Sequence, residues 1–151
     1  MRYLTFACLL VAFAACSDKS AADKPLLDEA AKYHNEAIEV QEQVEPLVDQ
    51  VDSVRTLLVQ KATPEAKSTA QSLDSLKTAF EAWEENLVEV PGMKHEHHEH
   101  SSGKHHHHNH NNDAKDMPAD QMRDLQREFL TNIKAIQTQT QQGMDRAKSL
   151  L

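Results

Sequence analysis

Apolar and polar positions divide this chain into blocks with different periods. Tyr3 to Ala15 is almost wholly apolar, broken only by Thr5. From Leu26 the pattern turns periodic: Leu26, Ala30, Tyr33, Ala37, Val40, Val44, Leu47, Val51, Val54 and Leu58 are spaced alternately by four and three. Such a heptad seam predicts a helix that lays one face along another helix. Pro46 lies inside the run but off the seam. It lacks a backbone donor, so it predicts a bend rather than an end, since the seam continues on both sides.

Thr63-Pro64-Glu65 predicts a fresh start, with a capping hydroxyl, a proline at the first helical position and an acid near the positive end. Ala66, Thr69, Leu73, Leu76, Phe80, Trp83, Leu87 and Val90 then mark a second helix, stopped by Pro91-Gly92. Trp83 sits on its seam and is expected to be a buried packing anchor. A third helix starts near Pro118 and carries Met122, Leu125, Phe129, Ile133, Ile136, Thr140, Met144, Ala147 and Leu151 at close to the helical period. Its second half, rich in Gln and Thr, is expected to pack loosely.

The expected fold is all-α, a long antiparallel helical hairpin with a third helix laid against it as a coiled-coil-like three-helix bundle. The expected helices cover about 26–60, 64–90 and 118–150, within a domain spanning 26–151. The short connection near Thr63 makes the first two helices antiparallel, which brings His34 level with about Val88. His34 itself flanks the seam beside Tyr33 and reads as a boundary residue.

Between the second and third helices the periodicity stops. Residues 94–113 contain nine of the ten histidines of the chain, all between His95 and His110. No apolar residue interrupts His95 to Asp113, so this run is expected to be a mobile loop. Neutral imidazoles bind Zn, Cu and Ni, and carboxylates add oxygen ligands. The expected ligands are His95, His97, His98, His100, His105, His106, His107, His108 and His110, with Glu96, Glu99 and His34 as further candidates. The many alternative pairs predict several exchangeable ions rather than one rigid site. A hydrophilic spacer and a pH-responsive linker, titrating near the ordinary imidazole value of about 6.5, are the other readings of the run.

The first block reads as a targeting signal. Its free amino terminus and Arg2 precede an apolar stretch shorter than the ~20 residues needed to span a bilayer. Phe13-Ala14-Ala15-Cys16 resembles a lipobox, so residues 1–15 are expected to be a signal peptide and Cys16 the lipidated residue of a tether, 16–25. Cys8 would leave with the signal, so the mature chain would hold neither a disulfide nor a reactive thiol. The expected location is the cell envelope, on the outer membrane facing periplasm or surface, with the lipid as membrane partner.

Composition narrows the remaining options. The formal charge is -8, and removing Arg2 with the signal would make it -9. No basic stripe is present, so nucleic acid is not an expected partner. No enzyme is expected either: position 99 is Glu99, so His-Glu-x-x-His is not formed, and no Glu-x-x-His or phosphate loop occurs. A protein partner would dock on the helical face, in an oligomeric state the pattern leaves open.

His34, Pro46, the small-residue seam, Trp83 and the Val88-Glu89-Val90-Pro91-Gly92 exit into a His-rich tract resemble small helical lipoproteins of the Bacteroidota. Those are often labelled viral A-type inclusion proteins, a label that reflects coiled-coil similarity. Ser17-Asp18 also partly resembles the surface-export signal of that phylum, with Lys19 interrupting the usual acidic run. The resemblance implies an envelope location and a helical fold, and it brings no assigned activity.

Overall fold

Pro46 offers no N–H to the helix around it, and the helix breaks shortly afterwards. In the computed structural model, which describes residues 19–93 and 116–151 (side chains from Ala22 onward), the chain forms α1 (Lys19–Val48), α2 (Val51–Lys61), α3 (Pro64–Asn86) and α4 (Ala119–Leu150). Among the described residues there are no strands. The Gln50 N–H turns to the Leu47 carbonyl at 3.2 Å, a tightened turn, while the Gln50 side-chain amide takes over the Pro46 carbonyl at 2.6 Å. α1 and α2 are therefore one long helix with a bend at Asp49–Gln50, and the architecture is the expected three-helix bundle.

The bend changes partners. α1 lies closest along α4, whereas α2 lies closest along α3; α1 meets α3 at longer reach, through core side chains and through the Gln41 amide, which donates to Glu84 at 2.7 Å. Cross-helix bonds mark both pairings: Lys134 to Glu36 at 2.6 Å and Gln137 to Gln43 at 2.9 Å join α4 to α1, and Arg55 to Asp74 at 2.7 Å joins α2 to α3. These exposed pairs record register and contribute little stability. The third helix of the expected bundle, α4, supplies the main partner of α1.

Burial of apolar side chains holds this arrangement in three clusters along the length. The middle cluster contains Val40, Val44, Val48, Phe80, Trp83, Leu130 and Ile133. Trp83 is buried as expected; its indole N–H donates to the Phe129 carbonyl at 3.0 Å, and its ring meets Phe129 edge-on at 6.2 Å. The far cluster joins Val51, Leu58, Ala66, Ala70, Leu73, Met144 and Ala147. This overturns the expected looseness of the third helix: Ala147 and Thr140 are fully buried, and Gly143 lets Leu73 approach so closely that a Cβ would sit 2.8 Å from Leu73 Cδ2. The near cluster is built on Ala30, Val90 and Met122.

Several boundaries and seam positions differ from expectation. α1 begins at Lys19 rather than about 26, with Pro25 inside it, so part of the expected tether is helical. α3 ends at Asn86 rather than about 90, because Leu87 turns extended (φ -62, ψ 128) and carries Val90 into the core. His34 and Val48 are buried where Tyr33 and Leu47 were expected, and Gln126 and Leu130 replace Leu125 and Phe129. Each change moves burial to the adjacent residue, while the neighbouring stripe positions Ala37, Val40, Val44, Val51 and Ile133 are buried as expected.

Candidate functional site

The near end of the bundle is where both flanks of the histidine segment are fixed. Val88 and Met93, at the exit from α3, and Met117, at the entry to α4, pack on the cluster of Ala30, Val90 and Met122, together with Leu27 of α1. A left-handed Gly92 (φ +85) provides the turn before Met93. Burial of Val90 gives this short, non-helical exit a defined course.

Beside this cluster lies a polar contact that the seam reading missed. Gln126, fully buried on α4, donates its amide N–H to the Val88 carbonyl at 2.5 Å, and its Oε1 lies 3.2 Å from His34 Nδ1. The Val88 carbonyl can only accept, which fixes the amide orientation. Oε1 must then face His34, so Nδ1 carries the proton and donates. In the neutral ring the basic nitrogen is therefore Nε2, and protonation there leaves the Gln126 bond intact.

His34 is accordingly not the boundary residue its place beside Tyr33 implied. It is 9% exposed, and Gln126 ties it to the α3 exit. The expected level of His34 with Val88 is met, with Gln126 spanning between them. A signal for Gln126 was present: Met122, Gln126, Leu130 and Ile133 form one stripe, in which a single polar residue interrupts apolar neighbours.

The surface around this end is charged. Tyr33 donates to Glu29 Oε1 at 2.8 Å, and that bond is the main reason its hydroxyl titrates above the usual 10.0. Arg123 pairs with Asp124 at 2.7 Å, which likewise raises its pKa, and Arg127 reaches the same carboxylate at 3.1 Å.

Of the expected site residues, only His34 falls in the described structure. Cys16, Glu96, Glu99 and the nine histidines from His95 to His110 lie outside the described residues. Among the described residues, no group of three or more His, Cys, Asp or Glu side chains is arranged to hold a metal ion. Nor, among them, is any helix long and apolar enough to cross a membrane. No family model, curated protein or solved structure matches the chain.

Proposed function

We propose that this protein is a lipid-anchored envelope protein, outside the cytoplasm, whose histidine segment binds Zn, Cu or Ni ions to buffer or deliver them. The observation that carries this reading is the concentration of nine imidazoles with Glu96 and Glu99 between two flanks, Met93 and Met117, that pack on one end of the bundle. Imidazole nitrogen with carboxylate oxygen is a donor set these ions accept, and adjacent histidines offer several overlapping coordination sets. The bundle serves as a rigid holder on which both ends of the segment are pinned.

Calorimetric titration of the full chain with Zn and Cu, beside a deletion of 95–110, tests the binding. The full chain should take up several ions and the deletion few or none; equal isotherms end the metal reading. Cells carrying the deletion should then change their tolerance to zinc or copper. Unchanged tolerance together with altered envelope integrity favours the alternative, a structural or adaptor lipoprotein in which the segment is a hydrophilic spacer. The anchor is tested separately: Cys16→Ala should release the protein from the membrane fraction or leave the precursor uncut.

A further inference from the structure

α1 begins at Lys19, so only Ser17 and Asp18 separate it from Cys16. Three Cα steps span at most about 11 Å. Leu27, which packs on the cluster at the near end, lies a further 12 Å or so along α1 at about 1.5 Å per residue. The near cluster therefore stays within about 23 Å of Cys16, whichever way the intervening residues turn. The far cluster lies well beyond that reach, because from Leu27 to Leu58 the helix rises by about another 45 Å.

Charge decides whether a bundle held in this way lies down or stands. The three bases of α1, Lys19, Lys24 and Lys32, all fall in its leading half, where they balance Asp23, Asp28 and Glu29. Beyond Lys32, α1 carries Glu36, Glu39, Glu42 and Glu45 and no base. α3 holds five acids against two bases, whereas α2 holds one against two and α4 four against five. Each side of the bundle shows two of its three long helices, so every side includes either α1 with α2 or α3. None is net basic over its length. An anionic lipid surface attracts basic segments by about 1 kcal/mol per charge and repels acidic ones within a Debye length of about 8 Å. Lying along such a surface gains this bundle nothing, while meeting it with the leading turns of α1 costs little.

We propose that the near end of the bundle faces the lipid surface that holds Cys16, and that the rest of the bundle stands away from it. This rests on the lipidation proposed above and adds an orientation to it. Val88 and Met93 leave α3 at this end, and Met117 returns to α4 there. The histidine segment thus departs from and rejoins the fold at the lipid-facing end. Ions held by the segment exchange beside the lipid headgroups rather than at the free end of the bundle.

The test places one fluorophore on the lipidated chain, at Gln121→Cys near the start of α4 or at Gln60→Cys near the end of α2. Both positions are exposed and uncharged, and on the lipoprotein reading neither native cysteine offers a competing thiol. Each chain is taken from its membrane with the lipid attached. It is then placed in vesicles of phosphatidylethanolamine and phosphatidylglycerol that carry an acceptor dye on their headgroups. Energy transfer should be at least about tenfold stronger from position 121 than from position 60, given the length of the bundle. Inserting about twenty Gly and Ser residues between Ser17 and Asp18, a coil of about 25 Å, should lower transfer from position 121 several-fold while the chain stays on the vesicles. Equal transfer from the two positions, or stronger transfer from position 60, overturns the orientation and leaves the anchor standing. Transfer from position 121 unmoved by the insertion overturns it as well, because something other than the short tether then holds the near end. A chain absent from the vesicles overturns the anchor, and the orientation with it.

Discussion

At the scale of single residues, Gln126 carries more than its neighbours. Its one amide bonds both the buried His34 ring and the half-buried Val88 carbonyl at the near end of the bundle. Gln126→Ala should cost about 2 kcal/mol or more in denaturant unfolding, because it removes two hydrogen bonds and leaves a cavity where a fully buried side chain stood. His34→Leu combined with Gln126→Leu should cost less than the sum of the two single changes, a coupling that a double-mutant cycle reads. Trp83→Ala should cost about 3 kcal/mol or more, whereas Trp83→Phe removes chiefly the bond to the Phe129 carbonyl and should cost much less. Lys77 gives a pH signature. Its hydrogen bond to Glu81 raises its pKa above 10.5, so the pair contributes below that pH and the contribution fades as pH rises through the raised value. Wild type and Glu81→Gln should therefore converge in stability at strongly alkaline pH, by a small amount because the pair is partly solvated.

At the scale of elements, the junction between α2 and α3 combines one well-chosen residue with one strained residue. Thr63 accepts the Ala66 N–H at 3.2 Å, and Thr63→Ala should cost about 1 kcal/mol. Ala62 adopts left-handed backbone (φ 58), the conformation at a helix end that glycine adopts without a Cβ penalty. Ala62→Gly should raise the unfolding midpoint by the equivalent of about 0.5 kcal/mol, the relief of strain exceeding the entropy a glycine adds to the unfolded chain. The helix starts were legible because capping and proline act locally: Thr63-Pro64 announced α3, and Pro118 announced α4. The bend near Pro46 was legible for the same reason. The end of α3 was not, since Leu87 leaves the helix only because Val90 has a pocket to fill. Likewise, no local rule distinguishes Tyr33 from His34 on the seam; Gln126, distant in sequence, decides which one is buried.

At the scale of the whole molecule, the all-α bundle was readable from spacing alone, while the choice of partners was not. A short loop predicts that neighbouring helices touch along their length, yet the bend brings α1 closest to α4 and keeps α2 closest to α3. The histidine segment was legible as chemistry because nine imidazoles in one stretch need no fold to declare themselves, whereas the packing of its flanks on Val90 and Met122 required tertiary structure. If the segment binds metal as proposed, uptake should weaken steeply as pH falls below about 6, because protonated imidazole near its ordinary pKa of about 6.5 has no lone pair to offer. Calorimetry at pH 7.5 and pH 5.5 checks this, and equal affinity at both would point to carboxylates as the ligands.

The pairing of α1 with α4 also sets an order in time. Its contacts join segments far apart in the sequence, as in the 92-residue separation between His34 and Gln126. Contacts so distant in sequence close late and slow folding. A chain emerging amino terminus first meets the partner for α2 as soon as α3 follows it, but α1 must wait for α4, whose Gln126, Lys134 and Gln137 follow their α1 partners by 92, 98 and 94 residues. During that interval the apolar stripe of α1, from Ala30 to Val48, lacks its main cover and has only the side chains of α3 such as Phe80 and Trp83 to pack on, so this is the stretch a holding chaperone would meet.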